Sequence, residues 1–442
     1  MKYIIILLTS LILKEDVFAD DLNRKAWIGI LAIEKNNQVV VDSVIPSSTS
    51  FHLGLKKNDT LKSINQLDIH SIKEFNAIVN GIYQNEKIDI HFKRNTKLEI
   101  VSGLTVSKPL FKPNWCNIVY QSLMVSDCKL RTMIYKPIKK MKSAAILFIP
   151  GYNCGSIESF SSNFNGRLIE HWVQNGYTVY TIEKSGVGDS YGCKSCYDVD
   201  LENDIQIYTA ALNDLSNLSY VDKENIFIWG HSMGGIIAPI IAQNKSIKGI
   251  MVFGTVFRPW SEFLLEMHRV QKPLTDNLSY AETENFVRLI QKVYYEFFIL
   301  KKSPTELYQT NEYKNIVESE LEYKIGKDEM WGRHWRFWQQ LDSINLASSW
   351  QNVNCKVLVL HGQSDYIQCS SVEPYLITET INKVHPNHAQ TIIMDSIDHL
   401  MMNSKNFEEA VSNFNSRAYN KGNFNMRIVH ETLAWLHEVN QE

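Results

Sequence analysis

The sequence predicts an α/β fold: a mostly parallel central sheet with helices on both faces and a helical insert, preceded by a small α+β domain. Two patterns indicate this. Beyond residue 140, continuous apolar segments of strand length alternate with helical stretches, as in parallel sheets buried on both faces. Before residue 105, short β-branched strands are separated by polar turns and a single helix. A chain of 442 residues with 44% apolar residues has the size and composition of a globular protein of two or three domains.

The charge balance argues against a nucleic-acid partner. Lys and Arg total 45 against 48 Asp and Glu, a formal net charge of −3, which provides no basic field for a polyphosphate chain. No apolar segment approaches the ~20 residues that a transmembrane helix needs, so no stable membrane span is expected.

Residues 1–19 are typical of a secretory signal peptide. Lys2 supplies a positive start, residues 3–13 are apolar apart from one Thr-Ser pair, and Ala19 ends a small-residue cleavage site. The alternative is a buried first strand, which leaves Ala19 unexplained. The sequence therefore predicts export to the periplasm or the extracellular space.

The N-terminal domain is expected over residues 25–105. A helix is predicted from an N-cap at Ser71 to residue 79, with Glu74 completing a capping box. The predicted strands are 39–44, 61–64, 88–92 and 98–101.

This domain resembles a PDZ domain of the kind found in bacterial proteases. The motifs that carry the resemblance are Trp27-Ile28-Gly29-Ile30, residues 44–48, residues 54–59 and residues 63–65. The resemblance implies that a peptide C-terminus adds as a strand, with its carboxylate at the backbone N–H groups of Trp27, Ile28, Gly29 and Ile30. The alternative is a domain that packs against its neighbour and binds nothing.

The second domain is expected over residues 115–442. It begins with a predicted hairpin of residues 118–125 and 128–135. The remaining predicted strands are 144–149, 177–182, 226–229, 250–253, 356–360 and 390–394, and the predicted helices between them are 161–175, 201–215 and 233–242.

A nucleophile is predicted at Ser232. The motif Gly230-His231-Ser232-Met233-Gly234 stands between a predicted strand and a predicted helix, which is the G-x-S-x-G nucleophile elbow. A sharp strand-to-helix turn holds the serine hydroxyl clear of the backbone, and the glycines allow close approach of neighbouring chain.

The base and the acid are predicted from their strands. A nucleophilic serine needs a base, and the base needs an orienting carboxylate. Asp365 follows the strand at 356–360 and His399 follows the strand at 390–394, so both lie at the carboxyl edge of a parallel sheet. Asp395 and Asp398 are rival acids, expected to be solvated loop residues. The oxyanion hole is predicted from the N–H groups of Met233 and Tyr152.

These residues make the domain resemble the α/β-hydrolase superfamily, and its esterase-like members in particular. The resemblance implies a serine hydrolase that cleaves carboxylic esters of small molecules through an acyl-enzyme, without cofactor or metal. A serine peptidase with the same residues is the alternative, and a binding protein with an inactive hydrolase domain is a third possibility that the complete set Ser232, Asp365 and His399 disfavours.

The seven cysteines suggest disulfides in an exported protein, and their odd number leaves at least one free thiol or an intermolecular bond. Cys193 and Cys196 form a CxxC pair, but a structural zinc would need a second pair, which the sequence lacks. In the sheet order of the family, the loop with Cys154 adjoins the loop with Cys193 and Cys196, which implies a bond from Cys154 to one of the two.

Residues 256–350 are expected to form a helical cap, with predicted helices at 262–271, 281–300 and 318–323 and without strands. The aromatic residues of this insert would suit an apolar acyl or aryl pocket, although packing between the helices accounts for most of them.

Overall fold

The structure is a computed structural model that describes residues 22–139, 141–323, 325–416 and 423–441. The predicted signal peptide lies outside the described residues. None of the described helices is both long enough and apolar enough to cross a membrane.

The N-terminal domain is an antiparallel sheet with a helix against it. Its elements are β1 (Ile30–Lys35), β2 (Gln38–Val44), α1 (Thr49–His52), β3 (Thr60–Ile64), β4 (Leu67–Asp68), α2 (Ile72–Asn80), β5 (Lys87–Arg94) and β6 (Lys97–Leu104). The strand order is β1-β2-β3-β5-β6, with β4 paired to β3. Alternate residues of β5, Ile88, Ile90 and Phe92, point into the core of this domain.

Three details of this domain differ from the prediction, the first being the short strand β4, which is absent from it. Strand β1 is missing from the prediction because its sequence, four apolar residues followed by two charged ones, does not alternate as that of a half-buried strand does. The capping box is also different: the Ser71 hydroxyl accepts the Glu74 N–H, but the Glu74 carboxylate accepts from His70 rather than from Ser71.

The C-terminal domain is an eight-stranded sheet between two layers of helices. Outside the cap its elements are β7 (Cys116–Val125), β8 (Cys128–Pro137), β9 (Ser143–Ile149), α3 (Phe164–Gln174), β10 (Thr178–Ile182), α4 (Leu201–Asn217), β11 (Val221–His231), α5 (Met233–Ala242) and β12 (Gly249–Phe253). The cap follows, and then β15 (Lys356–Gly362), α12 (Glu373–Val384), β16 (Ala389–Met394), α13 (Phe407–Asn415) and α14 (Arg427–Gln441) complete the domain.

The sheet has the order β16-β15-β12-β11-β9-β10-β8-β7. Strands β9 to β12, β15 and β16 are parallel, and the β7–β8 hairpin joins one edge in antiparallel pairing with β10. Apolar side chains from the two faces of the sheet form two separate cores with the helices. The predicted mostly parallel sheet, covered on both faces, is therefore confirmed.

The cap is mainly helical. Its elements are α6 (Trp260–Thr275), α7 (Tyr280–Tyr294) extended by a π-helical turn (Tyr295–Ile299), α8 (Pro304–Tyr308), α9 (Lys314–Ser319), β13 (Glu329–Met330), β14 (Arg333–His334), α10 (Trp335–Asp342) and α11 (Leu346–Gln351). The helix predicted at 318–323 is wrong, since α9 ends at Ser319. The absence of strands is also wrong, since β13 and β14 pair as a short hairpin.

Arg24 joins the two domains. Its guanidinium, only 7% exposed, binds the carboxylates of Asp189, at 2.5 Å, and Glu158. It also donates to the carbonyl of Lys108 at 2.8 Å, so the segments before and after the N-terminal domain meet at one side chain. The N–H of Lys25 donates to Asp189 as well, at 2.8 Å.

Candidate active site

Ser232 stands on a strained turn between β11 and α5. Its backbone angles are φ 55° and ψ −119°, a region that side-chain-bearing residues seldom adopt outside functional sites. The turn depends on the flanking glycines: a Cβ at Gly234 would lie 2.1 Å from the Ile149 carbonyl oxygen, and one at Gly230 would lie 2.5 Å from the Gly234 oxygen. The motif Gly230 to Gly234 thus has the geometry of a nucleophile elbow.

Asp365 and His399 are in direct contact. His399 Nδ1 lies 2.7 Å from Asp365 Oδ2, and both side chains are buried. The other carboxylate oxygen of Asp365 accepts the backbone N–H groups of Ile367, at 3.0 Å, and Gln368, at 2.7 Å, which fix its orientation. Gly254 packs against the pair, since a Cβ there would come within 3.0 Å of both Oδ2 and Nδ1.

Asp365 sets the protonation of His399. Burial opposes the imidazolium, but the charge of Asp365, its hydrogen bond and the charge of Asp398 outweigh burial and raise the pKa of His399. With Nδ1 donating to Asp365, Nε2 of a neutral His399 is left to accept a proton. This is the arrangement of a general base held by a carboxylate.

One of the two rival acids has the surroundings expected of it and the other does not. Asp395 is exposed, as predicted for a solvated loop residue. Asp398 is buried, contrary to that prediction, and its carboxylate accepts the N–H groups of Leu400 and Met402, each at 3.0 Å, and the Ser404 hydroxyl at 2.8 Å. Asp398 therefore binds groups of the loop that carries His399, whereas the His399 ring pairs with Asp365.

The loop after β9 reaches the serine. A Cβ at Gly151 would lie 3.7 Å from the Ser232 Cβ and 3.9 Å from its Oγ, so this stretch of backbone lies beside the hydroxyl. Tyr152 follows directly. On the other side, Met233 is the first residue of α5, where backbone N–H groups have no partner within the helix. The two predicted oxyanion donors thus belong to the two segments that flank Ser232.

Aromatic side chains of the cap cover the Tyr152 loop. The Tyr152 ring meets the buried Trp338 edge-on, with 5.4 Å between centroids. Trp260 stacks on Trp338 at 5.7 Å, and Trp331 meets it edge-on at 5.3 Å. Part of the aromatic content of the insert therefore lies next to the site, as the cap prediction requires, and part of it packs within the cap.

Two disulfides hold the loops at this edge. Cys154 is bonded to Cys196, one of its two expected partners. Cys193 is bonded to Cys128, a pairing that was not predicted. Within the described part of the chain, Cys116, Cys355 and Cys369 are free thiols and no cluster of His, Cys, Asp and Glu side chains has the composition of a metal site.

The loop Trp27-Ile28-Gly29-Ile30 leads into the edge strand β1. Gly29 has a φ of +70°, and a Cβ there would lie 2.1 Å from the Ser48 Cβ, so glycine is required. The carbonyls of residues 27, 28 and 29 accept backbone N–H groups of the segment 45–50. β1 is the terminal strand of its sheet, which leaves one backbone edge open, and its side chains Leu31 and Ile33 are exposed.

The sheet order, the elbow at Ser232 and the Asp365–His399 pair define an α/β hydrolase with a nucleophilic serine as its candidate site. The chain belongs to the family described as serine aminopeptidase, S33, whose model matches residues 142–406. A PDZ domain model matches residues 26–102. Both predicted resemblances are therefore confirmed.

Several solved structures are similar to the chain. The Butyrivibrio proteoclasticus esterase Est1E with bound ferulic acid has 15% identity over 68% of this chain and 96% of its own, with a TM-score of 0.41. A Pyrococcus furiosus esterase has 14% identity over 71% and 93%, with a TM-score of 0.42. The alpha/beta hydrolase GrgF from Penicillium has 14% identity over 70% and 99%, also with a TM-score of 0.42. No curated protein sequence matches the chain.

Proposed function

We propose that the protein is an exported serine hydrolase that cleaves carboxylic esters through an acyl-enzyme. The observation that carries the proposal is the 2.7 Å hydrogen bond between His399 Nδ1 and Asp365, at the same edge of the sheet as the strained turn of Ser232. A buried carboxylate, an imidazole with a raised pKa and a half-buried serine on a strained turn are the three parts that an activated serine nucleophile needs.

In this mechanism the Ser232 hydroxyl attacks the ester carbonyl as His399 Nε2 takes its proton. Asp365 stabilises the imidazolium, and the N–H groups of Met233 and Tyr152 bind the oxyanion. The imidazolium then protonates the leaving alcohol as the C–O bond breaks. Water, with His399 again as base, hydrolyses the acyl-enzyme and releases the carboxylic acid.

Three of the carboxylates around the site are bound to other groups, whereas Glu322 is exposed, and burial together with the charge of Glu322 raises the pKa of Tyr152. An aminopeptidase must hold the substrate's ammonium group, for which an unpaired carboxylate is the natural partner. Asp204 is already bound twice by Arg333, at 3.0 Å each, Glu373 is bound by Arg258 at 3.0 Å, and Asp398 is bound within its loop. The second candidate remains a serine aminopeptidase, which the family description favours.

One panel of substrates separates the two candidates. The purified protein and its Ser232→Ala variant are compared on p-nitrophenyl esters of increasing acyl length and on aminoacyl p-nitroanilides, with a fluorophosphonate probe to label the nucleophile. We expect turnover of short esters, labelling of the wild type and loss of both in Ser232→Ala. Anilide turnover above ester turnover would support the peptidase, and equal labelling of the Ser232→Ala variant would refute the nucleophile.

Export is supported by the two disulfides, because such bonds persist in oxidising compartments. The test is fractionation of producing cells, followed by sequencing of the mature N-terminus. We expect the protein outside the cytoplasm and starting at Asp20. A cytoplasmic protein that keeps Met1 to Ala19 would contradict this part of the proposal.

For the PDZ domain we propose a peptide C-terminus as ligand. The open edge of β1 and the positive φ of Gly29 support it, since such a domain takes an added strand and meets its carboxylate with backbone N–H groups. A library of C-terminal peptides, each with a matched C-terminally amidated version, tests it by fluorescence anisotropy. Binding of free-acid peptides alone is expected. Equal affinity of both versions would refute a carboxylate-binding loop.

A further inference from the structure

The loop beside Ser232 has its carbonyls bound by two buried cations. Lys184 Nζ donates to the carbonyl of Gly151 at 2.5 Å and to that of Asn153 at 3.0 Å. Arg333 Nη1 donates to the carbonyl between them, that of Tyr152, at 2.9 Å. Lys184 is 4% exposed and Arg333 is 0% exposed. Three successive carbonyls of one loop are therefore bound by buried cations.

This binding fixes the direction of the loop's N–H groups. In a trans peptide the C=O and the following N–H point in opposite directions. Because the Gly151 carbonyl faces Lys184, the Tyr152 N–H is directed away from Lys184. A flip of this peptide would break a charge-assisted hydrogen bond in a buried site, which is costly. The loop is thus held in a single orientation around the Tyr152 N–H.

Asp204 holds the two cations together. Its carboxylate accepts Arg333 Nη1 and Nη2, at 3.0 Å each, and lies 3.9 Å from Lys184 Nζ. Asp204 sits in the first turn of α4 and is fully buried. Burial lowers the pKa of Lys184 to about 7, with Asp204 opposing this and Arg333 adding to it. Near neutral pH Lys184 is therefore divided between its charged and neutral forms, and both keep the N–H donors that bind the Gly151 and Asn153 carbonyls.

The cap supplies one of the two cations. Arg333 belongs to β14, in the short hairpin of the cap, whereas Lys184 follows β10 of the sheet. The disulfide from Cys154 to Cys196 anchors the next residues of the same loop. The loop therefore takes its conformation from the cap and the sheet together.

We propose that Lys184 and Arg333, held by Asp204, are positioning residues that fix the 151–153 loop so that the Tyr152 N–H meets the oxyanion of the transition state. This inference rests on the proposed serine-hydrolase function. It predicts that removing one of the cations lowers the rate of the chemical step while leaving the nucleophile and ground-state substrate binding in place, since the oxyanion exists only in the transition state.

The test compares Lys184→Met with the conservative Lys184→Gln, which keeps an N–H donor for the loop carbonyls, and Arg333→Met with Arg333→Lys. Arg131→Met is the matched control, because Arg131 is equally buried and binds Asp189 at 3.3 Å. Fluorophosphonate titration counts the reactive serines of each preparation, so that kcat is expressed per titrated site. A trifluoromethyl ketone, which forms an oxyanion on Ser232, measures transition-state affinity.

We expect Lys184→Met and Arg333→Met to lower kcat per titrated site by about 10- to 100-fold and trifluoromethyl-ketone affinity by a similar factor, with KM changed less than about threefold. Lys184→Gln and Arg333→Lys should recover part of the loss, and they decide the matter if the Met variants do not fold. Arg131→Met should lower the melting temperature but not kcat per titrated site.

The inference is overturned if kcat per titrated site is unchanged in all four variants, or if Arg131→Met lowers it as much as they do. A conservative variant that folds but regains nothing also contradicts it. The proposed function fails separately: a wild-type protein that is not labelled and turns over neither esters nor anilides contradicts the serine hydrolase itself.

Discussion

His231 Nε2 lies 2.8 Å from the main-chain carbonyl oxygen of His399 and the two ring centroids are 5.0 Å apart, so the residue before Ser232 is hydrogen-bonded to the backbone of His399. Burial, helped by the charge of His399, lowers the pKa of His231 to about 3. A neutral His231 therefore donates its Nε2–H to this carbonyl throughout the working range of pH.

His231→Phe should lower kcat roughly tenfold and leave KM near its wild-type value, because a displaced base costs rate more than binding. The control is His268→Phe, which removes another buried histidine, one bonded to Tyr294 in the cap at 2.7 Å. It should cost about 1–3 kcal/mol of stability without changing kcat. Equal kcat in His231→Phe and the wild type, measured on one p-nitrophenyl ester, would remove His231 from the site.

Asp365→Asn should cut kcat by about 10⁴-fold, because the amide no longer stabilises the imidazolium and can hold the wrong tautomer.

Asp398→Asn should instead lower the free energy of unfolding, by about 1–3 kcal/mol, since the buried carboxylate binds its own loop. Asp395→Asn, at an exposed position, should change stability by less than about 0.5 kcal/mol. Ester turnover and urea unfolding of the three variants test this, and a collapse of kcat in Asp398→Asn alone would move the acid to that residue.

On the acid side of the pH profile, kcat/KM should reach half its maximum at a pH above the ordinary histidine pKa of about 6.5. A base works only when it is unprotonated, and Asp365 raises the pKa of His399 against the effect of burial, so the protonated, inactive form persists to a higher pH. Burial lowers the pKa of His231 and His361, so these neighbours are neutral in that range. Asp365→Asn should move the midpoint of kcat/KM downward. An unchanged midpoint in Asp365→Asn would mean that the fall of kcat/KM at low pH is caused by protonation of a group other than His399.

Peptide mapping under non-reducing conditions should recover the Cys154–Cys196 and Cys128–Cys193 links. Because the first closes a sequence separation of 42 residues, the Cys154→Ala/Cys196→Ala variant should lose about 4 kcal/mol of stability by the chain-entropy estimate. Cys369→Ala, which removes a free thiol, is the control. A Cys193–Cys196 link in the native protein would contradict the geometry.

The sequence predicts those parts of the fold and of the site that depend on residues close together in the chain or on the ends of predicted strands. The elbow is readable because the glycines around Ser232 meet backbone atoms that no Cβ could approach. Asp365 and His399 are readable because each follows a strand of one parallel sheet, and the carboxyl ends of such strands share an edge.

What could not be predicted depends on distant partners. Arg333 meets residues 181 and 129 positions away in the chain, and no periodicity or motif encodes that contact. The Cys128–Cys193 bond, in contrast, is predictable from the strand order. Because β8 runs antiparallel to β10, the start of β8 lies beside the loop after β10, where Cys193 stands. Helix α12 is also predictable from the sequence, because Pro374 stands in its first turn and the buried Ile377 and Ile381 are four residues apart.

The position of Arg24 determines how a truncation that removes the PDZ domain affects the C-terminal domain. A chain that starts after the PDZ domain lacks the Arg24 guanidinium that binds Asp189 and Glu158 and the Lys25 N–H that binds Asp189, and it keeps Arg131 as a cationic partner of Asp189. Removing one member of such a buried group typically costs several kcal/mol, a large share of the net stability of a domain. The residues ahead of the PDZ domain thus supply contacts to the C-terminal domain, and a chain shortened from its N-terminus loses them.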